Sequence, residues 1–534
     1  MSSLFSLLTF LVHSRQTNML LPFPALGRSS RIASHFRWVR ITCRVFLALM
    51  ASGSFLSQAQ QQPASPNLSA VASLIRERVA SGVPSIAIAI AHHGRIVWEE
   101  AVGMSDRERN ITATVHTPYY LASISKSITA TALLELVEHN QVNLDRPVND
   151  YLHAARVNSP MWDVSKATVR RVANHTAGLT TYDRDCLVSD RDCDASAAVA
   201  IRRYAVIVWP PGDQFDYSNL DYGILGEVVA EASHASLPVV LQRRVFAPLG
   251  MTDCFLDASV DRTNSAAVRY DSSPPFSRTP PKRSTAPGAS SAYCSVHDLA
   301  LFGMFHLKDH LASQKRILSD RSIDQMQAPS LPSGEEFQYG LSWWVQENLN
   351  GFHGVLAQGG TNDATAYLQL IPSEDIAIAM LWNTGTPDGG KVVDQVLSAL
   401  IPRYQKNLEA AAAAKPPGPS STAPEPPPAM LGTWSGFVQT YQGRVPLALD
   451  VSASGQLVAR LGAEPEVRRA HPRFGEGVVR WTMPGSLGVE GEPFDLAMRL
   501  YLHGGMLVGA GRTVPPASNR KGMWVYYWVQ LEKK

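Results

Sequence analysis

Cysteine is scarce, with five in 534 residues. Cys43 lies in a basic N-terminal stretch, which leaves Cys186, Cys193, Cys254 and Cys294 in the body of the chain. No second close pair accompanies Cys186 and Cys193, so the spacing excludes a structural zinc site and no metal is expected. An even set suits disulfides in an oxidising compartment, and the short Cys186–Cys193 separation marks one candidate bridge; four unpaired thiols are the alternative. A dominant charge is also lacking. Lys and Arg number 48 against 46 Asp and Glu, a net charge of +2, so the chain has none of the electrostatic footprint of a nucleic-acid binder. Long apolar runs are missing too: Val45–Met50 falls well short of the roughly 20 residues that span a bilayer. No acid precedes Glu77, whereas Arg15, Arg28, Arg31, Arg37, Arg40 and Arg44 do. Basic residues, a short apolar core and then small residues up to Ala59 read as a secretion signal cleaved after Ala59, with a disordered basic leader as the alternative. A mature protein without a transmembrane span, periplasmic or secreted, is the expectation.

The length exceeds one ordinary domain, and no internal repeat is present. Behind the leader (1–59), residues 60–405 carry mixed signals. Val71, Leu74, Ile75 and Val79 recur at helical spacing over Ser65–Ser81. Ile86, Ile88 and Ile90, a His93-Gly94 turn and Ile96-Val97-Trp98 predict a hairpin covered on both faces. Ser123 to about His139 reads as an internal helix, because apolar residues wrap most of its circumference. Residues from Val169 to about Leu249 read as mostly helical, a further helix is expected from Ala289 to Lys308, and Ala364–Ile371 and Ile376–Leu381 form a strand pair. Strands at both ends with helices between predict an α+β fold: one sheet built from both ends of the segment, with an all-helical part beside it. Residues 406–429, rich in Pro and Ala, read as a semi-rigid extended linker. From 430 to 534, period-two alternation as in Leu447/Leu449/Val451 and Phe494/Leu496/Met498/Leu500 predicts a small all-β barrel or sandwich. Trp524, Tyr526 and Trp528 share a strand face there, as lining aromatics or as a docking surface.

The chemistry centres on Ser123-Ile124-Ser125-Lys126. A hydroxyl and an amine at i and i+3 in a first helical turn share one face, where the helix N-terminus adds partial positive charge. A serine needs a base to become a nucleophile, and a lysine serves only once it sheds a proton normally held to about pH 10.4. Alternatively Lys126 stays charged and activates a tyrosine. A motif this short recurs by chance about once in such a chain, and Ser518-Asn519-Arg520-Lys521 is a second instance, read as a polar turn. Tyr217-Ser218-Asn219, on a loop before a helix, can supply a proton relay and an amide that orients a substrate carbonyl; a lone Y-x-N is otherwise a turn with an Asx bond.

Between about Ser65 and Pro402 the chain resembles the serine hydrolases related to class C β-lactamases, D-alanyl-D-alanine carboxypeptidases, D-aminopeptidases and esterases, whose S-x-x-K signature is well known. Leu121–Lys126 resembles the nucleophile segment, Leu144-Asp145-Arg146-Pro147-Val148 the L-D-x-P-V stretch, Asn174–Leu179 the H-T-S-G-L stretch, Tyr217-Ser218-Asn219 the Y-x-N motif and Leu249-Gly250-Met251 the L-G-M motif, all in order. The resemblance implies a β-lactamase/transpeptidase-like fold with an appended lipocalin-like β domain. It implies Ser123 as the acylated nucleophile, with Lys126 and Tyr217 sharing the acid and base roles, and no cofactor. Where the family places Lys or His, then any residue, then Gly, this chain has Gln358-Gly359-Gly360, followed by Thr361; His353 is the rival alignment. The glycines would let substrate approach the backbone, and the amides of Thr361 and Ser123 would form the oxyanion hole. Asn219, Gln358, Gly360 and Thr361 are thus the implied substrate contacts. Gln358 offers no charge to a substrate carboxylate, which leaves esters and non-carboxylate amides open beside β-lactams and D-peptides, including cell-wall fragments. The alternative is a non-catalytic penicillin-binding-like or peptidoglycan-binding protein on the same scaffold.

Overall fold

The computed structural model of the chain describes residues 68–182, 185–189, 196–256, 265–331, 337–386, 389–413, 425–469, 472–475, 477–489, 494–514 and 525–534. The leader with its cleavage site, Cys193, the second S-x-x-K at 518–521 and Trp524 lie outside the described residues. Residues 65–534 form one compact unit.

Alternation in β1 (Ser85–His92) organises the first half. Its residues Ser85 to Ala91 are all buried, because both faces are covered. Ile86, Ile88 and Ile90 pack with Val71 and Ile75 of helix α1 (Ser69–Ala80) and with Val392, Val396 and Leu397. Ala87, Ala89 and Ala91 face the main core on the other side. β1 pairs antiparallel with β2 (Ile96–Asp106) and also with β8 (Ile376–Trp382), Ala89 opposite Ala379. The sheet continues through β7 (Ala364–Ile371), β6 (Phe352–Thr361), β5 (Trp344–Leu349) and β4 (Gln338–Tyr339), with β3 (Ile111–Thr112) at the far edge: eight strands, ordered β3-β2-β1-β8-β7-β6-β5-β4. The two ends of the segment therefore meet side by side in mid-sheet, as the order of elements predicts.

The intervening helices pack as the helical part. Helix α2 (Ser125–Glu138) is buried at every residue from Ser125 to Leu136, which is why its apolar residues show no single stripe. Helix α3 (Asn219–Ser233) is capped by Ser218, whose Oγ accepts the Asp221 N–H at 3.2 Å. Among the described residues between Val169 and Leu249 loops separate the helical pieces, so these residues are less helical than their apolar spacing suggests; Gly212 and Gly178, both at positive φ, set turns there. The predicted helix from Ala289 is broken. A short turn, Pro287–Ser290, and a strand, Ala292–Cys294, precede helix α4 (Val296–Leu307), which starts at the cap residue Ser295.

The expectation on the linker needs correction, and of those on the cysteines the alternative of four unpaired thiols fails. Residues 402–413 form helix α6 (Pro402–Ala413), following α5 (Gly389–Leu400); the Ala run favours helix, and Tyr404 buries its ring and gives its hydroxyl to Asp394 at 2.5 Å. The extended linker therefore does not begin at 406. Cys254 pairs with Cys294, and Cys186 is also disulfide-bonded; the candidate Cys186–Cys193 bridge involves Cys193, outside the described residues.

The C-terminal module is one antiparallel nine-stranded sheet. In chain order its strands are β9 (Gly432–Gln439), β10 (Arg444–Val451), β11 (Leu457–Leu461), β12 (Val467–Arg469), β13 (Arg473–Gly475), β14 (Val478–Gly485), β15 (Phe494–His503), β16 (Met506–Val514) and β17 (Tyr526–Lys533). β17 pairs with both β9 and β16, and the sheet ends at β12 and β13, which do not pair with each other among the described strands. It is a curled half-barrel, open where a lipocalin barrel would close. Leu449, Leu457, Val479, Leu496, Leu500 and Leu531 fill its inside. The opposite face of β16 and β17 is neither solvent-exposed nor barrel lining: Val508, Ala510 and Trp528 bury against Val208 and Trp209. No single helix among the described residues is long and apolar enough to cross a membrane.

Candidate active site

Ser123 sits in a 3-10 turn, Ala122–Ile124, immediately before α2, one turn earlier than a serine of the α-helix proper. Ala122 takes a positive φ of 46°, a strained conformation for a residue with a Cβ. Tertiary contacts hold it there. Leu121 N–H donates to Ala292 O at 2.9 Å, and Ser125 Oγ donates to Ala122 O at 2.6 Å while accepting from Ala292 N–H at 2.9 Å. Gly359 of β6 closes the other side. A Cβ there would lie 2.1 Å from Leu121 O and 2.7 Å from Ser123 N, so the strand lies directly against the turn only because position 359 is glycine.

The i, i+3 geometry survives the change of helix type. Lys126, 1% exposed, donates to Ser123 Oγ at 3.0 Å, Asn219 Oδ1 at 2.7 Å and Ala289 O at 3.1 Å. Three acceptors use the three N–H bonds of an ammonium. Nζ also lies 4.7 Å from the Tyr217 ring centroid, a cation–π arrangement. Tyr217 therefore meets Lys126 through its ring face; its hydroxyl bonds neither Lys126 nor Ser123 among the described residues.

Ser123, Tyr217, Gln358, Gly360 and Thr361 line one cavity of about 380 Å³, together with Gly359, Trp344, Thr365, Tyr367 and Thr386. Of the residues singled out from sequence, Lys126 and Asn219 stand behind this wall, joined by the bond from Nζ to the Asn219 side-chain oxygen. The two glycines divide the work assigned to them: Gly359 is filled by the chain itself, whereas a Cβ on Gly360 would meet nothing within 4 Å. His353 is on the same strand, five residues earlier and outside the cavity wall. Thr361 Oγ1 donates to Asp363 at 2.7 Å. Burial alone would raise the Asp363 carboxyl, but Arg269 and the hydroxyls of Thr361 and Thr279 hold it below its ordinary value. Among the described residues no three His, Cys, Asp or Glu side chains converge as a metal set.

Three supporting groups carry no strong sequence signal. Trp344 stacks on Tyr217 at 6.1 Å and 15°; the Trp343-Trp344 doublet is its only hint. His175, central in the Asn174–Leu179 stretch, fixes the loop that bears Tyr217. Its carbonyl accepts Asp216 N–H at 2.9 Å, its Nδ1 faces Ser218 N–H at 3.3 Å, and its ring lies 4.6 Å from that of Tyr217. Asp221 Oδ2 is 2.8 Å from the same Nδ1. Burial, with Lys126 adding to it, drives His175 well below its ordinary pKa, and burial drives Asp221 well above. The Asp221 carboxyl and the Ser218 N–H thus both meet His175 Nδ1. The third group is the Arg269–Asp363 pair, distant in sequence.

Comparisons with known proteins bear on the family of the chain. Esterase EstB of Burkholderia gladioli is 33% identical over 202 residues, 35% of this chain and 50% of that protein; the matched segment thus spans half the length of this relative. The octameric penicillin-binding protein homologue from Pyrococcus abyssi superposes with a TM-score of 0.55 at 20% identity, over 87% of this chain and all of that one, a span that includes the β module. The class C β-lactamase from Rhodobacter sphaeroides aligns over 65% of this chain and 99% of its own, with a TM-score of 0.50 at 21% identity. The profile of the Beta-lactamase family matches residues 71–401, and the chain belongs to that family.

Proposed function

We propose that the chain is an exported serine hydrolase that acts through an acyl-enzyme at Ser123. The observation that carries this reading is the 3.0 Å contact between Lys126 Nζ and Ser123 Oγ at the edge of an open cavity. Ser123 Oγ attacks an ester or amide carbonyl, and its proton passes to the Lys126–Tyr217 pair, a coupled unit that takes it up after first shedding one proton to become neutral amine with phenol or ammonium with phenolate. The same proton then goes to the departing alcohol or amine as the C–O or C–N bond breaks. Water, deprotonated by the same pair, frees the acid and restores Ser123. Backbone N–H groups of Ser123 and Thr361 are the proposed oxyanion donors.

Gln358 shapes the substrate choice. It points exposed into the cleft and brings hydrogen bonds without charge. Carbonyl compounds without a carboxylate at that position, such as short acyl esters or amides, fit better than substrates that need a cation there. The esterase relative supports this preference, and β-lactams, D-amino-acid peptides and cell-wall fragments are the other classes to test. Disulfides at Cys186, Cys254 and Cys294 support export, and a mature N-terminus just after Ala59 is expected on Edman sequencing. The deciding experiment compares wild type with Ser123→Ala on a chromogenic cephalosporin, p-nitrophenyl esters and D-amino-acid amides, and looks for a fluorophosphonate adduct by intact mass. Turnover and adduct in the wild type, both lost in Ser123→Ala, are the expected results. Undiminished turnover in Ser123→Ala would sink the reading.

A further inference from the structure

One side of the Ser123 cavity is built of aromatic rings, most of which take no part in acyl transfer. Strand register puts them there. Trp344 of β5 stands opposite Leu356 of β6, and Gln358, two residues along β6, stands opposite Tyr367 of β7. Residues two apart on a strand, and residues directly opposite across strands, share a face. Trp344 and Tyr367 therefore rise on either side of Gln358, and all three line the cavity. Among the described residues that line it, none carries a formal charge.

The aromatic surface continues outward from Trp344. Its ring stacks on Tyr217 at 6.1 Å and 15°, and meets Phe337, just ahead of β4, at 5.2 Å and 68°. Phe337 is 44% exposed, one of three large hydrophobic side chains left so open among the described residues. Phe215 backs it at 5.6 Å and packs in turn on buried Tyr339 at 5.5 Å. The outer ring is thus braced from behind and open in front. Covering it with a second ring would bury apolar area and add an aromatic pair. A scattered exposed side chain needs no such account, but Phe337 is continuous, through Trp344, with the wall of the nucleophile's cavity.

We propose that this wall receives an aromatic ring carried by the leaving group of the substrate. The favoured substrates are then uncharged esters or amides of a short acyl group with an aryl-bearing alcohol or amine. The inference rests on the acyl-transfer reading at Ser123. The side follows from the path of the proton. Ser123 Oγ bonds to the carbonyl carbon, the bond from that carbon to the departing oxygen or nitrogen breaks, and the Lys126–Tyr217 pair returns its proton to the departing atom. Water then releases the short acid. The departing group therefore lies against Tyr217, and the ring stacked on Tyr217 is Trp344.

The test measures kcat/KM, which reports acylation, for ethyl acetate, benzyl acetate and ethyl phenylacetate on the full chain, each divided by its rate of alkaline hydrolysis. Benzyl acetate should exceed ethyl acetate by about tenfold or more, and ethyl phenylacetate, with its ring on the acyl side, should not. Phe337→Ala should lower the benzyl-to-ethyl ratio about threefold or more, and Trp344→Ala should lower it further. Ile111→Ala, at a side chain 40% exposed on the far edge of the sheet, should leave the ratio unchanged. Three results overturn the inference alone, with Ser123 still taking a fluorophosphonate: no preference for benzyl acetate, an equal gain for ethyl phenylacetate, or a benzyl preference that survives both Phe337→Ala and Trp344→Ala. Turnover undiminished in Ser123→Ala would instead overturn the underlying reading, and this inference with it.

Discussion

Position 359 has no room for even a methyl group, since a Cβ would fall 2.1 Å from the Leu121 carbonyl and 2.7 Å from the Ser123 nitrogen. Neither atom is a flexible side-chain end, so Gly359→Ala must push β6 away from the nucleophile turn. We expect a stability loss of about 1–3 kcal/mol from overpacking. Turnover should slow by about two orders of magnitude, because displacements near 1 Å at a reacting centre cost that much. Gly360→Ala, one residue along and facing open space, is the matched control and should lose far less; equal losses in the two would overturn this account. A second residue sets the acid limit. His306 is fully buried and its Nε2 lies 3.1 Å from Thr131 Oγ1; burial pushes its pKa down to about 3. Its folded value is below its unfolded value, so the stability it confers is present above pH 6.5 and lost as pH falls toward 3. The unfolded chain takes up the proton first. Between pH 8 and pH 5 this one group should cost about 2 kcal/mol. Urea unfolding of wild type and His306→Gln at both pH values checks it: the variant should lack that part of the slope.

At the scale of elements, the nucleophile turn is secured by a sheet that sequence periodicity does not reveal. Tyr119–Tyr120, Ala292–Cys294 and Phe255–Leu256 form three short strands, and the Cys254–Cys294 bond ties the last two together. The bond joins residues 40 apart, and closing a loop of that length should stabilise by roughly 3–4 kcal/mol in the chain-entropy picture. The double variant Cys254→Ser/Cys294→Ser should therefore unfold at a clearly lower temperature in calorimetry, and dithiothreitol should do the same to the wild type but not to that variant beyond the effect through Cys186. Strands of two or three residues show too little alternation to be read from sequence, which is why this sheet is invisible there while β1, β7 and β8 are not. Helix α2 is legible for the opposite reason: its apolar run is long. The core of the site is legible because Ser123 and Lys126 are three residues apart. The Tyr217 loop can be placed only through ordered motifs, and Arg269–Asp363, 94 residues apart, leaves no local trace. The Cys186–Cys193 spacing is suggestive, but spacing says nothing of Cys254 and Cys294, which the fold alone brings together.

At the scale of the whole molecule, the C-terminal module does not behave as an appendage on a linker. Trp528, 1% exposed, and Val508 cover Val208 and Trp209, which are 1% and 2% exposed. Trp209 begins the loop that ends at Tyr217. It holds Asp216 through its indole N–H, and Arg499 of the module holds Gln214 of the same loop. The module therefore supports the segment that carries Tyr217 into the cavity. A chain ending at residue 429 would expose two large apolar side chains and free that loop on one side. We expect such a truncation to melt at a lower temperature and to turn over small esters at least tenfold more slowly, with KM changed less, because loop placement bears on the proton-transfer group more than on the Gln358–Thr361 wall. Trp528→Ala, which keeps the module, should reproduce part of the loss by opening the contact to Trp209, at a cost of about 3–5 kcal/mol if the gap does not close. A truncated chain with wild-type turnover and melting temperature would show instead that the catalytic domain holds Tyr217 unaided, and His175 with Asp221 would then be its sufficient support.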